Sequence, residues 1–332
     1  MTNAIKKAVF YITFIALGVF WAEVVSTKIP FGLVTYPLYL AYGLLYVIFI
    51  DALMRWKVRD FKIWYLFGAL VGIITETYVA KVIFYGTQPN VWRIFGVAPG
   101  PIAFIILFYH AFFSFLAPAY FARRVLYMPL PIPPNKWIDR LFLLVPFIMF
   151  PVVSSKLILE GWDIMALVSL VSISAIILSL WILLLRFVGD IKDVILSRWE
   201  RIGVIAFAVI AYIYFLFNAT NKSHGHAPTD FPVVPMIVIS IIIAALLALI
   251  FKSISKNEEQ KEPLTYDGRM INLRLFCGWL FWYIALTTVL SLKAPPLLVV
   301  KISLIVLGVT GAIIGLWMFI QSVIGLFRAC QK

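Results

Sequence analysis

The 332-residue sequence has little charge and almost no cysteine. Only 13% of its residues are charged, and its two cysteines are Cys277 and Cys330. A chain this poor in charge is not typical of a disordered protein, and two cysteines cannot form the framework of a disulfide-rich secreted scaffold. Hydrophobic residues make up 63% of the chain and the mean hydropathy is +1.01, more apolar character than a water-soluble domain carries. The composition therefore predicts a polytopic α-helical membrane protein.

Ten stretches of the sequence are long and apolar enough to cross a bilayer. A helix that crosses a hydrocarbon core of about 30 Å needs roughly 20 mostly apolar residues. The sequence predicts an all-α bundle with a five-helix N-terminal half, residues 1–158, which carries the ionisable residues inside spans. The five-helix C-terminal half, residues 159–332, is predicted to be a scaffold with a polar inner loop at 253–272. The predicted spans are 8–26, 34–54, 63–84, 100–121, 141–158, 164–186, 203–219, 232–251, 273–292 and 297–327.

Lysine and arginine are distributed unevenly between the two sides of this bundle. With the N-terminus inside, the cytoplasmic segments hold 21 of the 28 Lys and Arg residues. The positive-inside rule then places both termini in the cytoplasm and the chain in the cell membrane. The formal net charge of +13 is therefore interpreted as a topology signal that favours anionic membrane lipids, and no nucleic-acid partner is predicted.

Four ionisable residues inside the predicted spans are the main candidates for a functional site. Such residues are costly in lipid and usually face the bundle interior. At 1.5 Å of rise per residue, Glu23 in span one and Glu76 in span three lie roughly 20 Å from the inner face. Lys156 in span five reaches a similar height, and His110 in span four falls in the same outer half. We predict that these side chains share one layer and form a substrate or proton site.

Span three has a face of small residues that carries one of these candidates. Small residues let a neighbouring helix approach closely, so this face is predicted to point into protein. Glu76 then needs a partner on another span, and His110 and Lys156 are at the right depth. The residues that form this face are spaced four apart: Gly68, Gly72, Glu76 and Ala80.

Span two adds three tyrosines to the candidate site. Tyr39, Tyr42 and Tyr46 recur at helical spacing on one face of its outer half. Phenols can donate hydrogen bonds to a carboxylate or stack on a ligand. An aromatic packing stripe is the alternative, and we favour it. At the inner end of the same span, Asp51 and Arg55 are predicted to form a structural ion pair.

The predicted outer loop 219–231 contains the remaining histidines. His224 and His226 are weak candidates for a metal site, because an imidazole pair can bind a transition metal but no third ligand is fixed nearby. Solvated loop histidines are the favoured interpretation. Ligation of haem by two histidines is excluded, because His110 is the only histidine within a span. We therefore predict no cofactor.

Three short motifs mark the first 130 residues. They are Glu23-x-x-Ser26-x-x-x-Pro30, Gly72-x-x-x-Glu76-x-x-x-x-Lys81 and His110-Ala111-x-x-Ser114. Over this part the chain resembles a group of uncharacterised prokaryotic multispanning membrane proteins. The resemblance implies that these positions act as a set. The group has no assigned activity, so the resemblance implies no mechanism.

Three classes of function are compatible with these features. Two sets of five spans would have inverted orientations, which is the plan of many secondary carriers, and an intramembrane carboxylate is suited to proton coupling. We therefore favour a proton-linked carrier of a small solute. The alternatives are a non-catalytic subunit that binds the partner subunits of a larger membrane complex, for example a respiratory one, and an intramembrane enzyme acting on an outer-leaflet lipid-linked substrate.

Overall fold

The part of the chain that the structure describes is helical. The structure is a computed structural model, and within its described residues the only β-type pairing is an isolated bridge between Ile94 and Val97. The described residues are 3–24, 36–85, 92–128, 194–218, 232–256, 273–292 and 297–331, with single residues and short runs between 130 and 142 and between 172 and 182.

Two of the helical segments are π-helices, in which the backbone hydrogen bond spans five residues instead of four. The first continues directly from an α-helix, and the second lies between two α-helices without a break. In chain order the described helices are α1 (Asn3–Val19), π1 (Phe20–Val24), α2 (Tyr36–Arg55), α3 (Phe61–Tyr78), α4 (Val82–Tyr85), α5 (Pro99–Pro101), π2 (Ile102–Leu116), α6 (Ala117–Val125), α7 (Arg198–Asn218), α8 (Val233–Lys256), α9 (Leu273–Leu292) and α10 (Leu297–Gln331).

Several of these helices have the length and composition of membrane spans. The helices α2 and α3 overlap predicted spans two and three, and α9 has the bounds of predicted span nine. The predicted spans 141–158 and 164–186 fall mostly outside the described residues, so the total of ten spans stays a prediction. Five stretches of the described residues are long and apolar enough to cross a membrane: Asn3–Ala22, Pro99–Val125, Arg198–Phe217, Val233–Ser255 and Ile305–Gln331.

Polar side chains fix the first turns of α3 and α7. The carboxylate of Asp60 accepts the Lys62 N–H at 2.8 Å, which caps α3. At the start of α7, the Glu200 N–H donates to the Ser197 hydroxyl at 3.3 Å, and the Ser197 N–H donates to the Glu200 carboxylate at 2.6 Å. This reciprocal pair is a capping box, which satisfies backbone donors that the helix itself leaves unpaired.

The third predicted span is interrupted. The sequence predicts one helix over 63–84, but α3 ends at Tyr78 and the chain resumes as α4 at Val82. Between them Lys81 has a positive φ of 57°, a left-handed conformation that an α-helix cannot contain. The side chain of Lys81 is buried. The break therefore ends α3 less than one turn beyond Glu76.

The rod formed by α5, π2 and α6 lies at the centre of the described structure. On one side α3 approaches so closely that a Cβ added at Gly68 would lie 2.8 Å from the Ala111 carbonyl oxygen. On another side, a Cβ added at Gly315 of α10 would lie 2.9 Å from the carbonyl oxygen of Ala103. Glycines thus bring two helices into backbone contact with the rod, as small residues do in membrane bundles.

The later helices carry apolar side chains on the outside of the molecule. Phe217 of α7, Val234 of α8 and Trp317 of α10 are all more than half exposed. In a soluble protein such a surface would aggregate, whereas in a membrane it faces hydrocarbon. The core of the described residues is therefore built mainly from α1, α2, α3, π2 and α6.

Candidate functional site

Glu76 and His110 form a buried pair between α3 and π2. Glu76 Oε1 lies 2.8 Å from His110 Nε2, and the two side chains are 7% and 2% exposed. Gly72 makes this contact possible, because it lies one turn before Glu76 and a Cβ there would sit 2.7 Å from His110 Cβ. The structure thus places the partner of Glu76 on another helix, as its position on the small-residue face of span three predicts.

Ser114 extends the pair on the other side of the imidazole. Its hydroxyl oxygen lies 3.1 Å from His110 Nδ1, and both residues belong to π2. The backbone carbonyl of Ser114 accepts the Tyr46 hydroxyl at 2.7 Å. Glu76, His110 and Ser114 therefore form one hydrogen-bonded chain. A serine hydroxyl can both donate and accept, so this chain tolerates either tautomer of the imidazole.

The second carboxylate oxygen of Glu76 is the distinctive atom of the site. Oε2 is buried and has no hydrogen-bond partner among the described residues. Leaving a buried charged oxygen unpaired is costly. The cost falls when the carboxylate takes up a proton or receives a donor from a ligand.

Two of the three candidate tyrosines contact the imidazole and serine. The Tyr42 ring lies 5.6 Å from the His110 ring at an angle of 35°. Tyr46 stacks on Tyr42 at 6.1 Å and also bonds the Ser114 carbonyl. Tyr39 is half-buried and lies one turn nearer the start of α2. The tyrosine face of α2 thus packs against π2 and also forms one wall of the site.

The other candidates are not placed beside this pair by the described residues. Glu23 belongs to π1, but its side chain lies outside the described part. The carbonyl of its neighbour Ala22 accepts the hydroxyl of Tyr109, the residue next to His110. Lys156, His224 and His226 also lie outside the described residues. Within the described residues no group of three or more His, Cys, Asp or Glu side chains could hold a metal ion.

Tyr212 of α7 is a neighbour of the site that sequence analysis does not single out. Its hydroxyl donates to the Ala41 carbonyl of α2 at 2.5 Å, and its ring lies 6.5 Å from the ring of Tyr78 in α3. Tyr212 lies in the half of the chain whose spans carry almost no charge, so charge inside a span gave no reason to select it. The site therefore draws on both halves of the sequence.

Tyr65 is a second residue that the sequence pattern does not reveal. Its hydroxyl lies 2.8 Å from the Leu107 carbonyl and 2.8 Å from the Gly315 carbonyl. One hydroxyl hydrogen is thus shared between two acceptors, on π2 and on α10. The bond ties three helices together three turns below Glu76.

A second polar cluster lies at the opposite end of α2. Asp51 is 1% exposed and pairs with Arg55 at 3.4 Å, which confirms the predicted ion pair. Arg201 of α7 lies 3.7 Å from the same carboxylate, and the Leu196 N–H donates to it at 2.7 Å. Asp51 thus joins α2 to the start of α7.

A family model matches nearly the whole chain. The family is described as an uncharacterized membrane protein family, and the match covers residues 12–329. It therefore extends well beyond the 130 residues that carry the three short motifs. No curated protein and no solved structure matches.

Proposed function

Since the chain belongs to this uncharacterized membrane protein family, for which no activity is described, we propose from the site alone that it is a proton-linked carrier of a small solute. Glu76 and His110 are the proposed proton site. One observation carries the proposal: a buried carboxylate has one oxygen on an imidazole and the other without a partner among the described residues.

This pair can change its charge without losing its hydrogen bond. With Glu76 ionised and His110 neutral the pair carries one negative charge, and one added proton makes it neutral overall. His110 is bonded on both ring nitrogens, by Glu76 and by Ser114, and the serine adapts to either tautomer. Because an isolated charge is costly in a low-dielectric interior, proton binding changes the energy of the site strongly. That is the property a coupling site needs.

The surroundings of Glu76 also suggest the class of solute. The Glu76 oxygen that has no partner among the described residues is an acceptor, and the Tyr42 ring packs on the imidazole that binds the other oxygen. A solute with an N–H or O–H donor satisfies this acceptor, and a cationic amine gains further from the face of an aromatic ring. We therefore propose that the solute presents such a donor and binds when Glu76 is ionised.

The proposed carrier has about ten spans in the cell membrane, with both termini in the cytoplasm. The bias of Lys and Arg toward the predicted inner loops supports this orientation. The site then lies in the outer half of the bundle, roughly 20 Å from the inner face by helix rise.

Transport by purified protein tests the proposal. The wild-type chain is reconstituted into liposomes, a proton gradient is imposed, and uptake is measured across a panel of amines, polyols and amino acids. Glu76→Gln keeps a hydrogen-bonding group beside His110 but cannot exchange a proton, so gradient-driven uptake should fall at least tenfold. Glu258→Gln, in the polar loop predicted at 253–272, is the matched control and should transport normally. If the wild type moves no solute in the panel, or Glu76→Gln transports like the wild type, the proposal is wrong.

A second function is favoured by the order of groups in the site. A hydroxyl, an imidazole and a carboxylate are linked in sequence, with Ser114 and Glu76 on opposite ring nitrogens of His110. The same connectivity activates serine nucleophiles for acyl transfer, which would make the protein an intramembrane hydrolase of lipid-linked esters. Covalent labelling of Ser114 by a fluorophosphonate, lost in Ser114→Ala, would favour the hydrolase. Proton-driven uptake by the wild type without labelling of Ser114 would favour the carrier.

A further inference from the structure

A groove opens between α1 and α7 at the end of the molecule that carries the Asp51 cluster. Its volume is about 510 Å³, within the range of about 300–1,000 Å³ that ligand sites have. Residues of α1 and α7 form the two walls, and Val47 of α2 contributes to the floor. The groove is distinct from the proposed proton site, because none of the residues that line it belongs to α3 or π2.

The walls of this groove are apolar over most of the depth of one membrane leaflet. Ala8, Ile12 and Ile15 line it on α1, and Val204 and Phe207 line it on α7. From Lys7, at the polar end, to Ile15 is eight residue steps, which rise about 12 Å along a helix. One leaflet contributes half of a hydrocarbon core of about 30 Å. The groove therefore extends over most of a single leaflet.

One end of the groove is polar and basic. Lys7 bridges it to Glu200 of α7, with Nζ 2.7 Å from the carboxylate. Lys6, Arg198 and Arg201 lie within one turn of this bridge along the two helices. Among the described residues the facing carboxylates are Glu200, held by Lys7, and Asp51, held by Arg55 and Arg201. This end therefore has a net positive charge.

We propose that the groove binds an anionic phospholipid from the leaflet on its basic side. One hydrocarbon chain lies between α1 and α7, and the phosphate lies at Lys7 and the neighbouring basic residues. The alternative occupant of the groove is a helix from a second copy of this protein, and the charge of the basic end favours the lipid. Copies in one membrane share an orientation and place the same basic ends on the same side, so they repel there, whereas an anionic headgroup is attracted.

Gly203 allows a direct test, because it lines the groove and a Cβ added to it meets nothing within 4 Å. Gly203→Leu should therefore fill the groove without disturbing the fold, and leucine is also a better helix former than glycine. Gly278→Leu is the matched control, since a Cβ at this helical glycine of α9 also meets nothing within 4 Å. Ala8→Leu fills the groove from the opposite wall if Gly203→Leu does not fold.

Native mass spectrometry of the full chain measures binding of phosphatidylglycerol and phosphatidylcholine with identical acyl chains. The wild type should bind phosphatidylglycerol at least tenfold more tightly. Gly203→Leu should weaken this binding at least tenfold, Gly278→Leu should leave it within twofold, and Lys7→Gln should reduce the preference for the anionic lipid. Equal binding of both lipids by the wild type overturns the proposal. The proposal is also overturned if Gly203→Leu and Ala8→Leu both bind phosphatidylglycerol as tightly as the wild type does. It is likewise overturned if light scattering shows that the wild type is a dimer and that Gly203→Leu is a monomer.

Discussion

Asp51 is a buried acid that pairs with two arginines among the described residues. It is buried, accepts hydrogen bonds from Arg55 and the Leu196 N–H, and forms an ion pair with Arg201 at 3.7 Å. A buried carboxylate is stable only when its charge is compensated. The two arginines compensate Asp51, and they in turn depend on it.

Asp51→Asn should therefore destabilise the protein. The amide still accepts from the Leu196 N–H, but two arginines lose their counter-charge. Both arginines are about one-third exposed, so the cost is below that of a fully buried pair, about 1–3 kcal/mol. The midpoint of thermal unfolding in detergent should fall accordingly. Glu258→Gln is the control, and an Asp51→Asn midpoint equal to that of the wild type would contradict this account.

At the residue scale, the sequence predicts the depth of a residue in the membrane better than it predicts which neighbouring helix the side chain faces. Counting residues along each span places Glu76 and His110 at similar depth, and the structure brings them into contact. The contacts of Tyr212 with Ala41 and Tyr78 need the angular position of α7, which residue counting does not supply. The role of Tyr65 is not predicted either. Its partners are two backbone carbonyls, and no side-chain pattern in the sequence indicates a carbonyl partner.

At the scale of elements, the site depends on how closely α3 approaches π2. Gly72 sets this distance, because its missing side chain leaves room for His110 Cβ. Packed interiors resist even one added methyl group when the neighbour is backbone or Cβ. The separation of the two helices and the bond between Glu76 and His110 are therefore coupled.

Gly72→Ala should separate the two helices and weaken the site. The added methyl would lie 2.7 Å from His110 Cβ, and relieving this overlap costs about 1–3 kcal/mol. The thermal midpoint in detergent should fall, and proton-driven uptake should fall with it. Gly308→Ala is the matched control, since a Cβ at that helical glycine meets nothing within 4 Å. An unchanged midpoint in Gly72→Ala would show that α3 and π2 do not pack as described.

Periodicity predicts the existence of elements better than their detailed form. The small-residue face of span three is confirmed by the close approach of Gly68 to Ala111. The break at Lys81 and the π-helical turns of π2 are not predicted. A helix that is apolar on nearly every side gives no signal that separates four-residue from five-residue hydrogen bonding, and a positive φ at lysine has no local sequence signature.

At the scale of the molecule, composition predicts the class of protein and the charge bias predicts its orientation. The orientation is testable with single cysteines in a variant lacking Cys277 and Cys330. A membrane-impermeant maleimide should label His224→Cys, in the predicted outer loop, in intact cells. It should label Glu258→Cys, in the predicted inner loop, only after lysis. The reverse pattern would invert the topology and place the Glu76 site toward the cytoplasm.

The later helices do more than surround the N-terminal ones. The division into halves at residue 158 remains a prediction, but Tyr212 of α7 bonds to α2 and α10 packs against π2 through Gly315. The low charge of its spans predicts that the second half is a scaffold. Aromatic hydroxyls and glycines carry no formal charge, so that criterion does not detect their role.

The Tyr65 bond also has a consequence for how the molecule is made. Its two ends, Tyr65 and Gly315, are 250 residues apart. At about 5–20 residues per second, a ribosome needs about 12–50 s to add the intervening chain. During that interval the Tyr65 hydroxyl lacks the Gly315 carbonyl, and the close packing of α10 on the central rod has not formed. The central rod therefore completes this packing only after α10 has been inserted.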